Sequence, residues 1–459
     1  MTALPPTPGL FSRDRLHVPF IALALAIAVF GGFVLGIALP LRAALGTPGA
    51  GWVAHAQVHG HLQTVGFVGL FIVGVSYRLL PAFSGGRPLA HPRLAPLSLW
   101  LIGGGVLLRA AGQPAADQPL FAALLAAGAW AELAGAACFA ANVLAMTPRG
   151  IRAHEPFALF FSAGAVWFVA QAALGAWWLS DLALSGQTVL RADRSLLLVT
   201  LQFFGFHLMF ILGVGIRSFP VFFAARRPSF RAVAAAFSVT QVGLVLIAVG
   251  GIAAAQRLGA AWPLENTGAA LAGLGLASTT AFTGWWRSPA RIRPASRPFA
   301  LALQPAMAWL TLAALLLAGL AVRGLAERAL PPAHQADAVR HIVALGVLLM
   351  TMVAMAQLVL PEFASERLAG RQGAWRGLVF GALLSLATVL RAGSRFFARE
   401  LPADVVNWSM ALAGVLALTV VIAFALLFLR SVRNHGAMLA KVAAFTAGDR
   451  ALPISERAR

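Results

Sequence analysis

The sequence is poor in cysteine, in charge and above all in acid. Its single cysteine, Cys138, sits inside an apolar run, which excludes a disulfide framework and a thiolate metal cluster. Acidic residues number 15 against 35 lysines and arginines, and charged residues together make up only 11% of the chain. No glycine-rich phosphate loop, Cys-x-x-Cys-His haem attachment site or Ser/His/Asp arrangement is present. The alternating short segments that build closed β-barrels are also lacking.

Apolar sequence fills the space instead. Hydrophobic residues are 60% of the 459, and the mean hydropathy is +0.82. Runs of roughly 18 or more apolar residues recur, the length needed to cross about 30 Å of hydrocarbon. The chain reads as an all-α, polytopic membrane protein. Helices are expected at 18–44, 55–80, 94–112, 119–145, 156–180, 196–219, 232–255, 263–285, 298–322, 338–361, 375–393 and 405–429, twelve spans in all. The first run shows no convincing cleavage site before Ala44 and reads as a retained helix rather than a signal peptide.

A net charge of +20 raises the question of nucleic acid, and its distribution answers it. Of the 35 basic residues, 21 fall in the N-terminus, the even-numbered loops and the C-terminal tail, against 7 in the odd-numbered loops. By the positive-inside rule both termini are cytoplasmic. The charge is mostly topology, with some attraction to anionic headgroups. No nucleic-acid partner is expected.

The chain also repeats itself. "PFIAL" (Pro19–Leu23), "PFALF" (Pro156–Phe160) and "PFALA" (Pro298–Ala302) open the first, fifth and ninth helices. Proline suits a first turn because its missing N–H would lack a partner there anyway. The second helix of each unit aligns as well. His61–Pro81 and Thr200–Pro220 match without gaps at ten of 21 positions, including Gly66/Gly205, Arg78/Arg217 and the final proline. His341–Pro361 fits the same frame more weakly, with Gly346 at the glycine position. We read three quasi-equivalent four-helix units, at 1–150, 151–296 and 297–430, and a basic tail at 431–459. Such units imply a pseudo-threefold bundle that relates the second, sixth and tenth helices.

The histidines then acquire positions. His61 and His341 are equivalent and lie near the outer ends of helices 2 and 10. His207 on helix 6 lies seven residues deeper than the matching position, roughly 10 Å at 1.5 Å per residue. Two imidazoles at one depth on facing helices are what axial haem ligation requires, each offering one nitrogen lone pair. The plainer alternative is a histidine hydrated or hydrogen-bonded at a helix interface. His59 and His61 are two apart, about 200° around a helix, and do not share a face, whereas His55 and His59 do. That pair is a candidate outer copper site, or lies in water beside Trp52. His17, His91, His154, His334 and His435 fall in loops or helix ends and are expected to be solvated. Glu132, inside an apolar helix, is either a proton carrier or a hydrogen-bonded structural group. Arg78 and Arg217 are expected at the cytoplasmic face.

Four stretches carry a family resemblance: the "PF" opening of helix 1, H-x-H-x(4)-G-F at His59–Phe67, "GIRSFPVFF" at Gly215–Phe223, and H-x(4)-G at His341–Gly346. They resemble the NnrS family of bacterial haem- and copper-containing membrane proteins, linked to nitric oxide tolerance. Ile216, Val221 and Phe223 depart from that family's G-G-R-x-x-P-F-F-T stretch. After helix 10, "PEFASERLAGR" (Pro361–Arg371) stands where the family has a G-H-T-G-R-like segment. The layout is also distantly similar to the catalytic subunit of haem–copper oxidases. The resemblance implies a b-type haem on His61 and His341, His207 where a copper ligand falls, nitric oxide or another small gas as partner, an electron donor, and the bacterial cytoplasmic membrane. With valine at position 339 and no histidine on helix 7, a second haem and a three-histidine copper centre cannot be assembled, which argues against oxygen reduction.

Two other classes remain open. One is a transporter or metal-ion-handling protein using the same histidines, with Gln63, Gln202, Gln241, Gln304 and Gln357 lining a path. The other is a membrane electron-transfer subunit.

Overall fold

In a computed structural model, residues 15–223, 225–258, 261–286, 297–360, 363 and 371–451 are described. Pro361, Glu362 and the segment 364–370 lie outside them, and with them most of "PEFASERLAGR" and the last proline of the third aligned helix. The described chain is helical throughout, with no strand among the described residues.

Eleven helices among the described residues are long and apolar enough to cross a membrane. In chain order, with one shorter helix included, they are α1 (His17–Ala44), α2 (Trp52–Phe83), α3 (Leu94–Ala115), α4 (Pro119–Arg152), α5 (Pro156–Leu184), α6 (Ala192–Pro220), α7 (Phe230–Ala255), α8 (Trp262–Ala281), α9 (Leu303–Glu327), α10 (Ala333–Gln357), α11 (Arg376–Phe396) and α12 (Ala403–Ala437). Each of the twelve expected segments is therefore a helix. The shorter one is α8, whose 20 residues include Glu265, Asn266 and three threonines or serines near its end. The helix of α12 runs on to Ala451, so much of the basic tail is helical.

Starts follow local chemistry. Pro119 and Pro156 occupy the first turns of α4 and α5, and the Ser229 side chain accepts from the Ala232 N–H at 3.3 Å at the head of α7. Burial then sorts the helices. In their most apolar stretches α2, α6 and α10 are 78, 83 and 78% buried, against 33–50% for the other eight spans. These three form the inside of the bundle. The outer helices present Phe30, Trp100, Leu120, Val242 and Leu426 outward, as a lipid-facing surface requires.

Each inner helix contains a π-helical stretch: Leu62–Gly69, Leu201–His207 and Ile342–Leu349. All three begin one residue after the first position of the aligned frame (61, 200 and 341). Wide turns of this kind are uncommon and recur at functional sites. A glycine sits inside each. A Cβ on Gly205 would come within 2.8 Å of Trp167, and one on Gly346 within 2.7 Å of Trp309. Those tryptophans reach onward, Trp167 Nε1 to Gln241 Oε1 at 2.8 Å and Trp309 Nε1 to Ser385 Oγ at 3.3 Å.

Small residues also bring α3 and α4 backbone to backbone. A Cβ on Gly105 would stand 2.6 Å from the Gly128 carbonyl and from Glu132 Cγ. Close approach through glycine is the usual solution where hydrophobicity offers no drive between helices in lipid. Here it lets the Glu132 side chain pass across α3 toward α2. His17, expected in solvent, is buried at 1% exposure. The first turn of α1 packs over Gly74 of α2, whose Cβ would meet the His17 carbonyl at 3.2 Å.

Candidate functional site

A cavity of about 500 Å³ lies between α1, α2, α6, α10 and α12, within the roughly 300–1,000 Å³ typical of ligand sites. Its wall is largely apolar and includes Phe33, Phe67, Val68 and Leu345. Three histidines also border it, His59, His61 and His341, together with Arg109, Arg340 and Arg391.

His59 and His341 each turn Nδ1 to a main-chain carbonyl, and His341 Nδ1 lies also 3.3 Å from the Asp337 carboxylate. His59 Nδ1 lies 2.7 Å from the Gly32 carbonyl of α1, and His341 Nδ1 lies 2.9 Å from the Asp337 carbonyl one turn back. A carbonyl only accepts, so Nδ1 carries the proton in both rings and Nε2 keeps its lone pair. This is the arrangement metal-bound histidines adopt, with the other ring nitrogen donating to a carbonyl or carboxylate. Local packing makes room for it: a Cβ on Gly36 would stand 2.7 Å from His59 Cε1.

His61 is held in the opposite way. Its Nδ1 accepts from the Arg109 guanidinium at 3.0 Å, because guanidinium only donates. Nε2 must then carry the proton, and it donates to Glu132 Oε1 at 2.8 Å. Neither ring nitrogen is left for a metal. All three side chains are buried. The chain of contacts continues outward from Arg109 Nε to Gln113 Oε1 at 3.2 Å, and from Gln113 Nε2 to Gln57 Oε1 at 2.7 Å. Gln57 in turn bonds the backbone of Leu190 in the loop before α6. A second short network, Thr64 to Gln202 to Gln171, ties α2 to α6 and α5 at 2.8 and 2.9 Å.

No family model matches the chain, and no curated protein matches it by sequence. Function therefore has to be read from the site itself.

Around His341 the structure gathers charge that sequence reading passed over. Asp337 Oδ2 accepts from Arg391 at 3.0 Å and from Arg395 at 3.2 Å, with Arg340 at 3.7 Å from Oδ1. One carboxylate thus faces three guanidinium groups, an excess of cation beside the cavity. The signals were present: Asp337 stands four residues before His341, hence on the same face, and Arg109 interrupts an apolar run.

The remaining expected residues lie elsewhere. His55 Nδ1 is 2.9 Å from the Gly51 carbonyl at the head of α2, while the His59 ring turns to α1. Among the described residues no group of three or more histidines, cysteines, aspartates or glutamates is placed to hold a metal ion. His207 is 0% exposed, against Phe203 and Phe206, and neither ring nitrogen has a hydrogen-bond partner. Arg78 and Arg217 lie at the far ends of α2 and α6, away from the cavity wall. Arg217 packs over the rings of Phe83 and Phe157 at 4.5 and 4.8 Å, with Glu155 at 3.7 Å.

Proposed function

We propose that the chain is a haem-carrying protein of the cytoplasmic membrane, with the haem held between His59 and His341. The observation that carries this reading is the matched pair of imidazoles on one cavity, each with Nδ1–H tied to a main-chain carbonyl and Nε2 free. Haem ligation needs only two protein donors, because the porphyrin supplies the others. It is therefore compatible with the lack of a three-ligand cluster among the described residues. The apolar wall suits a macrocycle, and the excess cation of Arg340, Arg391 and Arg395 over Asp337 suits carboxylate substituents.

His61, the residue first expected as a ligand, becomes a positioning group in this reading, fixed by Arg109 and Glu132. Among the described residues neither His55 nor His207 belongs to a group of three candidate ligands, so the proposal places one b-type haem and no copper. Bound haem would supply one-electron chemistry or gas ligation at its iron. The chain's own residues orient the two imidazoles, exclude water with apolar side chains, and neutralise carboxylates at the outer rim.

The resemblance to NnrS proteins extends the proposal to nitric oxide tolerance, with a neutral gas reaching the site through the apolar core. The aligned frames, the three π-helical stretches at matching positions and the paired Gly–Trp contacts support a threefold repeat of four helices. With the basic-residue bias they support twelve spans and cytoplasmic termini.

The hydrogen-bonded chain from Leu190 through Gln57, Gln113, Arg109 and His61 to Glu132, buried from Gln113 inward, favours a second reading, an ion- or proton-handling transporter. One experiment separates the two. Protein purified in detergent from haem-replete cells should show haem absorption that changes on adding nitric oxide. A colourless preparation that conducts or exchanges ions in vesicles would favour the transporter.

A further inference from the structure

We propose that α2, α6 and α10 line a second, smaller pocket that docks an uncharged gas molecule of two or three heavy atoms. The pocket measures about 50 Å³ and lies between the inner halves of the three helices. Phe71 and Val75 come from α2, Phe210 and Phe219 from α6, and Met352 and Met355 from α10.

Its chemistry selects the occupant. Twelve of the fourteen lining side chains are apolar, and the only side-chain hydroxyls are those of Ser76 and Thr351. A water needs about two to four polar partners and only some 10–15 Å³ of such space. The pocket is too large for a single water and too poor in partners for several. Apolar cavities of this kind stay dry and take up xenon or small apolar molecules. An ion would lose its hydration with nothing to replace it.

Thr351 gives the pocket one polar handle. The buried threonines Thr240, Thr279, Thr280 and Thr388 each donate to the carbonyl four residues back. Thr351 is 2% exposed and its hydroxyl meets no protein partner. The π-helical stretch ends at Leu349, two residues before it, and at this junction the Met350 N–H bonds the Val347 carbonyl. The unspent Thr351 hydroxyl, with that of Ser76 also on the wall, suits a weak acceptor such as a diatomic oxide.

The pocket also has a neighbour. Phe203 borders the 500 Å³ cavity and Phe210 borders the small pocket, and His207 stands between them on α6. Its ring is wholly buried and approaches the Thr64 backbone without hydrogen-bond geometry. The two voids therefore follow one another along α6, with this imidazole, which lines neither, one turn on from Phe203 and one turn before Phe210. None of this depends on a haem being present.

The test is diffraction from crystals of the full chain under xenon pressure, with Ala356→Leu and Thr351→Val variants. The inference requires one xenon peak beside Phe210 and Met352 in the wild type, its retention in Thr351→Val, and its loss in Ala356→Leu, whose added carbons fill the pocket. If Ala356→Leu does not fold, Ile211→Phe on the opposite wall serves as the filler. Ordered water in the pocket, no xenon in the wild type, or an undiminished peak in a filled variant overturns it. Because xenon is read without reference to absorption bands, this outcome is separate from that of the haem proposal.

Discussion

Glu132 Oε1 lies 2.8 Å from His61 Nε2, joining α4 to α2 across α3 with both side chains buried. The contact fixes the proton on Nε2 and turns Nδ1 toward Arg109. It thereby commits His61 to a polar chain and leaves His59 and His341 as the imidazoles free to bind.

Removing the carboxylate should expose how much rests on it. Glu132→Ala strands Arg109 and the His61 N–H without a counter-charge. Breaking one side of a buried charged pair costs about 3–5 kcal/mol. The thermal midpoint in detergent should fall clearly for Glu132→Ala and less for Glu132→Gln, which keeps an oxygen to accept from His61. Equal midpoints for the wild type and both variants would contradict the pairing.

Gly105 should tolerate no side chain. A Cβ there meets the Gly128 carbonyl and Glu132 Cγ at 2.6 Å, and the backbone contact cannot yield without moving α3 from α4. Overpacking of this sort costs about 1–3 kcal/mol. Gly105→Ala should lower the stability by that amount and the thermal midpoint with it, whereas Gly104→Ala, which meets nothing within 4 Å, should leave both unchanged.

Asp337 is the one carboxylate among Arg340, Arg391 and Arg395, and 20% of its side chain is exposed. Asp337→Asn removes the compensation but leaves the backbone carbonyl that holds His341 Nδ1. Stability should drop by about 2–3 kcal/mol, short of a fully buried pair because water reaches the group. Raising the salt concentration should recover part of the loss, since screening relieves the arginine repulsion. A loss indifferent to salt would mean that packing, not charge, is at stake.

The helices were legible because lipid imposes a length and a composition on a spanning segment: each expected segment is helical, and eleven helices among the described residues are long and apolar enough to cross a membrane. The alignment of the second, sixth and tenth helices also picked out α2, α6 and α10, which the structure buries most deeply. Which histidine keeps a ring nitrogen free beside the cavity was not legible. That depends on partners far away in the chain, the Gly32 carbonyl for His59 and Glu132 for His61, 27 and 71 positions distant. The 200° between His59 and His61 showed that they part company, and only the packing shows which one turns to the polar chain. Arg109 and Asp337 went unread for the same reason: a charge in an apolar helix announces a partner without naming it.

The paired-ligand proposal is best tested by the reduced-minus-oxidised visible spectrum of the detergent-purified protein, recorded for the wild type and for His59→Ala, His61→Ala and His341→Ala. Haem bands should be present in the wild type and persist in His61→Ala. They should vanish or change spin state in His59→Ala and in His341→Ala. A colourless wild type, or bands lost in His61→Ala yet untouched in His59→Ala, would contradict it.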